Sequence, residues 1–169
     1  MLSTGVWHIE HREPVLLLYG KVCVRWAALD LLLVQILSVA LCNSPAARDL
    51  IFNGSSFGKN RLDAVNRAIG ASRFTEEERS ALLALTKKTA DLLSARNDIV
   101  HAPLVISLSV NGDKIASKLT RISRQGKEHE LSIEKIEAHI NAIGSVLSDL
   151  ELLAQDLDLK YDPVDPDDL

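Results

Sequence analysis

Arg96, Asn97 and His101 share one short stretch, Arg96-Asn97-Asp98-Ile99-Val100-His101. Arginine offers a permanent planar cation that matches a phosphate. Asparagine offers a neutral hydrogen-bonding group, and histidine exchanges a proton near neutral pH. Those are the tools of phosphodiester chemistry. Asp98, beside them, either orients a cation or is a solvated acid, and is left out of the set. A purely structural account of the same residues has Arg96 bonded to a carboxylate such as Asp91 or Glu10 while His101 caps the end of a helix.

A long helix must carry this stretch. Thr75-Glu76-Glu77-Glu78 is a capping box, in which the threonine side chain accepts from the Glu78 amide and the glutamate reaches back. Leu82, Leu83, Leu85, Leu92 and Leu93 follow it, and Pro103 disfavours helical geometry at Ala102, so the helix should stop at about His101. Next, Leu104, Ile106, Leu108 and Val110 alternate with more polar residues, Asn111-Gly112 marks a tight turn, and Ile115 to Ile122 returns. That pattern predicts a β-hairpin over about 104–122. Its second arm carries Lys114, Lys118 and Arg121, either as a charged edge that deters aggregation or as an RNA-contacting arm. Ser132 then caps a last helix, whose Ile133, Ile136, Ile140, Ile143, Leu147 and Leu150 form a packing seam.

Upstream, an apolar helix from Val15 to Leu41 raises the membrane question. Lys21, Arg25 and Asp30 interrupt it, and the remainder from Leu31 to Cys42 contains Gln35, short of the roughly 20 residues a span requires. A buried helix, available for dimerisation, is the reading adopted, with no membrane partner. Ser44-Pro45 opens a short helix that Asn53-Gly54-Ser55-Ser56 ends. The helix after it places Leu62, Val65, Ala68 and Ile69 inward, and Lys59, Arg61, Arg67 and Arg73 read as its solvated basic face, with an RNA track as the alternative.

With 169 residues, 47% hydrophobic and 25% charged, the chain can build one compact, mainly α domain. We place it over residues 1–159, with an acidic flexible tail over 160–169. The formal charge of -4 argues against a protein that coats nucleic acid indiscriminately. Aromatic residues at 4% argue against a stacking platform for single strands. If Cys23 and Cys42 lie on one continuous helix, they stand roughly 28 Å apart at about 1.5 Å per residue, too far for a disulfide. His8 and His11 lack further ligands for zinc, His129 and His139 have no companions at useful spacing, and Walker and dinucleotide-binding fingerprints are absent. No cofactor and no metal are expected. The first ten residues carry acid and histidine where a secretory leader would be basic, which points to the cytoplasm.

The helix order and the spacing from Arg96 to His101 resemble the HEPN superfamily of small all-α domains, through its Rx4-6H motif. Here four residues separate the arginine from the histidine, and the polar Asn97 follows the arginine, as is common in that family. The resemblance implies a HEPN-like helical bundle, here with a small β-hairpin inserted between the last two long helices. It implies a metal-independent endoribonuclease whose cleft forms where the motif helices of two protomers meet. His101 would transfer protons, Arg96 would clamp the phosphate and Asn97 would orient His101 or the backbone. It further implies an RNA substrate and a homodimer. Toxin–antitoxin and phage-defence effectors of the family would add an antitoxin such as a minimal nucleotidyltransferase. A non-catalytic HEPN-type dimerisation and partner-binding module is the alternative. Positions 96 and 101 are about 140° apart around a helix, so one helix is not expected to aim both side chains at one point.

Overall fold

The computed structural model describes residues 13–42, 58–101, 104–111, 114–122 and 126–161. The fold is mainly α. Its elements are α1 (Glu13–Ala40), α2 (Lys59–Ala71), α3 (Glu76–Val100), β1 (Leu104–Asn111), β2 (Lys114–Ile122), β3 (Glu128–Glu130) and α4 (Ile133–Tyr161). The helix predicted from Ser44-Pro45 lies outside the described residues.

α1 packs most extensively on α4, while α2 joins α1 to α3 and α3 rests on α4. Val22, Leu29, Leu33 and Ile36 of α1 meet Leu62, Val65 and Ile69 of α2, Leu82 of α3, and Ile136, Ile143, Leu150 and Leu157 of α4 in one apolar core. Each helix contributes residues at spacings of three and four, the period that keeps one side facing inward. The strands form an antiparallel sheet in the order β1-β2-β3, with Val110 opposite Ile115 and Arg121 opposite both Leu104 and His129.

Among the described residues, α1 is the one helix long and apolar enough to cross a membrane. Length and composition alone do not separate a span from a core helix. Two of its charges are used inside the fold: Arg25 donates to the Ile140 carbonyl of α4 at 2.7 Å, and Asp30 pairs with Arg61 of α2 at 3.6 Å. A Cβ on Gly144 would meet the Arg25 guanidinium at 2.8 Å, so the bare glycine leaves the lane in which Arg25 crosses onto α4.

The fold departs from the sequence-based expectations at three places. Arg61 does not belong to a solvated basic face: its side chain is 10% exposed against Asp30, because α2 turns that side toward α1. Cys42 does not continue the first helix, which ends at Ala40; it follows in a turn with φ 56. Both thiols are free. The tail does not begin at Lys160, since α4 continues through Tyr161. Leu157 is buried in the core, and Tyr161 stacks against Phe74 with ring centroids 5.2 Å apart. Residues 162–169 lie outside the description.

Both ends of α3 follow local rules. At its start the Glu78 amide donates to Thr75 Oγ1 at 3.3 Å and the Thr75 amide donates to Glu78 Oε2 at 2.8 Å, completing the capping box. At its finish His101 is the C-cap, with φ -110 and ψ -10 and its amide on the Asn97 carbonyl. Ser132 Oγ accepts from the Lys135 amide at 3.2 Å and so caps α4.

Candidate catalytic pair at the end of α3

Arg96 leaves the last turns of α3 half-buried, and His101 stands exposed at the cap one turn on. Arg96 Nη1 lies 2.7 Å from His101 Nε2. The same nitrogen donates to Asn97 Oδ1 at 2.9 Å. Contrary to the expectation from an ideal helix, one helix and its cap bring both side chains together. His101 sits at the cap, outside the regular helix, and the arginine side chain is long enough to bridge the angle. Asn97, in turn, touches Arg96, and its side chain does not orient the imidazole.

The direction of the contact has a chemical consequence. A guanidinium only donates. With Arg96 on Nε2, that nitrogen accepts, and the ring proton resides on Nδ1. The Nε2 lone pair is thus covered by a cation.

Among the described residues Arg96 forms no ion pair. Asp91, one carboxylate weighed for it, is not its partner, and Glu10, the other, lies outside the described residues. What holds Arg96 instead is α1. Its guanidinium carbon lies 5.6 Å from the centre of the Trp26 ring, within cation–π range, and its Nε is buried without a hydrogen-bond partner. Burial raises the Asp30 carboxyl above its ordinary value, opposed by the charges of Arg61 and Arg96. One turn beyond Arg96, the Val100 carbonyl accepts from the Tyr19 hydroxyl at 2.7 Å. That carbonyl belongs to the last turn of α3, where carbonyls have no partner within the helix.

Tyr19 and Trp26 carry no sequence-based expectation, and Asp30 enters the sequence reading only as a charge that interrupts the apolar helix. Their spacing, seven and then four residues along an apolar helix, is the signal that marks one line along that helix.

Lys114, Lys118 and Arg121 fall on β2, opposite Asn111, Ser107 and Leu104 of β1. Their side chains lie outside the described residues. Among the histidines, His139 is buried, and burial lowers its pKa, favouring the neutral ring. His129 is exposed on β3, and His8 and His11 lie outside the described residues. Among the described residues no group of three or more His, Cys, Asp and Glu side chains is placed to hold a metal. No protein-family model, curated protein or solved structure matches the chain.

Proposed function

We propose that the chain is a HEPN-like endoribonuclease that cleaves RNA by 2′-hydroxyl transesterification, without a metal, at a cleft completed by a second copy. The observation that carries this reading is the 2.7 Å contact between Arg96 Nη1 and His101 Nε2, a phosphate-binding cation and a proton acceptor held together beside solvent.

The chemistry runs as follows. An incoming phosphodiester draws the Arg96 guanidinium onto its non-bridging oxygens, where two parallel hydrogen bonds are stronger than one to an imidazole. Nε2 is then uncovered and accepts the 2′-hydroxyl proton. The 2′-oxygen bonds to phosphorus, the bond to the 5′-oxygen breaks, and the His101 imidazolium formed in the first step returns its proton to that oxygen. Arg96 stabilises the charge that gathers on the phosphoryl oxygens. Asn97 keeps one guanidinium nitrogen oriented throughout. Lys114, Lys118 and Arg121 supply phosphate contacts along the strand. A cytoplasmic location, a role as a toxin or defence effector and an antitoxin partner belong to the same proposal.

The test incubates purified protein and His101→Ala with mixed-sequence RNA and matching DNA in chelator. Cleavage of RNA alone, ending in a cyclic phosphate and lost in the variant, is the expected result. Intact RNA from a folded dimer would sink it. That second outcome favours a non-catalytic interaction module, for which the exposed apolar line Leu17, Val24 and Leu31 on α1, 60%, 70% and 66% accessible, is the specific support.

A further inference from the structure

The pair is built from α3 alone, yet α3 alone does not hold it in place. Arg96 carries a long, rotamer-rich side chain, and ordering such a side chain has an entropic cost that something must offset. No carboxylate among the described residues does so by ion pairing. His101 is the C-cap of α3, and a helix end frays unless its carbonyls find donors.

α1 meets both needs with side chains seven positions apart. The Trp26 ring, 4% exposed, lies beside the guanidinium at 5.6 Å. Tyr19 donates its hydroxyl to the Val100 carbonyl, the peptide that enters His101, at 2.7 Å. Neither contact is needed for apolar packing. A phenylalanine would fill the place of Tyr19 without the hydroxyl, and an aliphatic residue would fill much of the place of Trp26 without the ring face.

We infer that Tyr19 and Trp26 of α1 are positioning residues for the reaction at Arg96 and His101. Tyr19 fixes the peptide from which the imidazole springs, and Trp26 fixes the plane of the guanidinium. This rests on the nuclease reading of the pair, and the geometry also has consequences that do not pass through cleavage. The hydroxyl of Tyr19 restrains the end of α3, which keeps Nε2 within reach of Arg96. The ring of Trp26 attracts the cation by its electron-rich face, which stops Arg96 from swinging into water between turnovers.

The full chain carrying Tyr19→Phe, Trp26→Phe or Trp26→Leu tests this with two readouts: steady-state RNA cleavage, and the NMR shifts of the His101 ring nitrogens. In Tyr19→Phe we expect kcat about ten-fold lower with KM within about two-fold, the pattern of lost geometry and not of lost binding. The ring nitrogens should move from a single Nδ1–H tautomer toward a mixture of the two. Trp26→Phe, which keeps an aromatic face, should stay within about three-fold of the parent, whereas Trp26→Leu should fall by about ten-fold. Parental kcat in Tyr19→Phe overturns the role of the hydroxyl. Equal activity in the two Trp26 variants overturns the role of the ring face. If Tyr19→Phe does not fold, the Trp26 pair decides the inference. If the parent cleaves no RNA, the nuclease reading fails on its own, and the ring-nitrogen shifts decide the positioning: moved in Tyr19→Phe, it stands; unmoved, it falls.

Discussion

The two ends of α3 are built on opposite plans. At the start, Glu78 has nearly every acceptor site used: it takes the Thr75 amide, Lys160 Nζ at 2.6 Å and the Tyr161 hydroxyl at 2.8 Å. Arg73 closes the same corner by donating to the Tyr161 carbonyl at 2.8 Å. At the finish, Arg96 has a buried Nε without a partner, no ion pair among the described residues, and an exposed imidazole beside it. Satisfied polar groups stabilise a fold, whereas donors left short of acceptors are available to a ligand. The comparison separates a corner that holds the bundle from a corner that can act.

The sharpest way to break that contrast is to change the acting end and look for a stability effect. Arg96→Ala should lower RNA cleavage by about 10²-fold to 10³-fold, with a urea midpoint close to that of the parent. A large drop in the midpoint with cleavage retained would reverse the assignment of the two ends.

The converse change comes next in size. Glu78→Ala removes half of the capping box and two long-range hydrogen bonds together, and should cost about 2 kcal/mol of stability in urea unfolding. Per-molecule cleavage at low temperature should be unchanged. If cleavage fell with it, the two ends would be coupled through the length of α3.

Acidity sharpens the comparison further. Partial burial pushes the Glu78 carboxyl up, but the hydrogen bonds from Lys160, the Thr75 amide and Tyr161 outweigh it and hold the group at about 2, against an ordinary 4.5. A carboxyl whose folded pKa is depressed stabilises the fold fully above its unfolded value. That contribution is lost as pH falls from about 4.5 toward about 2. His139 works in a separate, higher window. Burial lowers its pKa from an ordinary 6.5, so the unfolded chain binds the proton more readily, and stability declines as pH falls below about 6.5. Thermal midpoints should therefore drop in two steps on acidification. Glu78→Gln should flatten the lower step and His139→Leu the upper. A single step untouched by either substitution would remove both groups from the account.

Much of the local structure was legible in the residues. The Thr75–Glu78 box and the Ser132 cap involve partners three positions apart, and the stop forced by Pro103 acts on its immediate neighbour. The helix accordingly ends at Val100 with His101 as its cap. The Asn111-Gly112 signal stands between β1 and β2, whose register pairs Asn111 with Lys114. Arg61 was misread because its charge is settled by Asp30, on a different helix. Tyr161 was assigned to a tail because the groups that order it, Phe74 and Glu78, stand more than 80 positions away. Nothing in Asp156-Leu157-Asp158-Leu159 announces those partners.

The candidate site divides in the same way. By itself the sequence determined which chemistry is available, since Arg96, Asn97 and His101 carry a cation, an amide and a titratable ring by virtue of their types alone. It also determined that they lie at a helix end, because caps and prolines act over a few bonds. Only the tertiary structure decided that Arg96 reaches His101 across the helix angle, that Trp26 and not a carboxylate lies beside the guanidinium, and that Tyr19 holds the Val100 carbonyl. The carboxylate near Arg96 among the described residues, Asp30, acts on it through charge without an ion pair, and all of these outcomes depend on how α1 lies against α3. That placement is set by the burial of whole apolar faces, a summed and non-directional force that no short stretch of residues records.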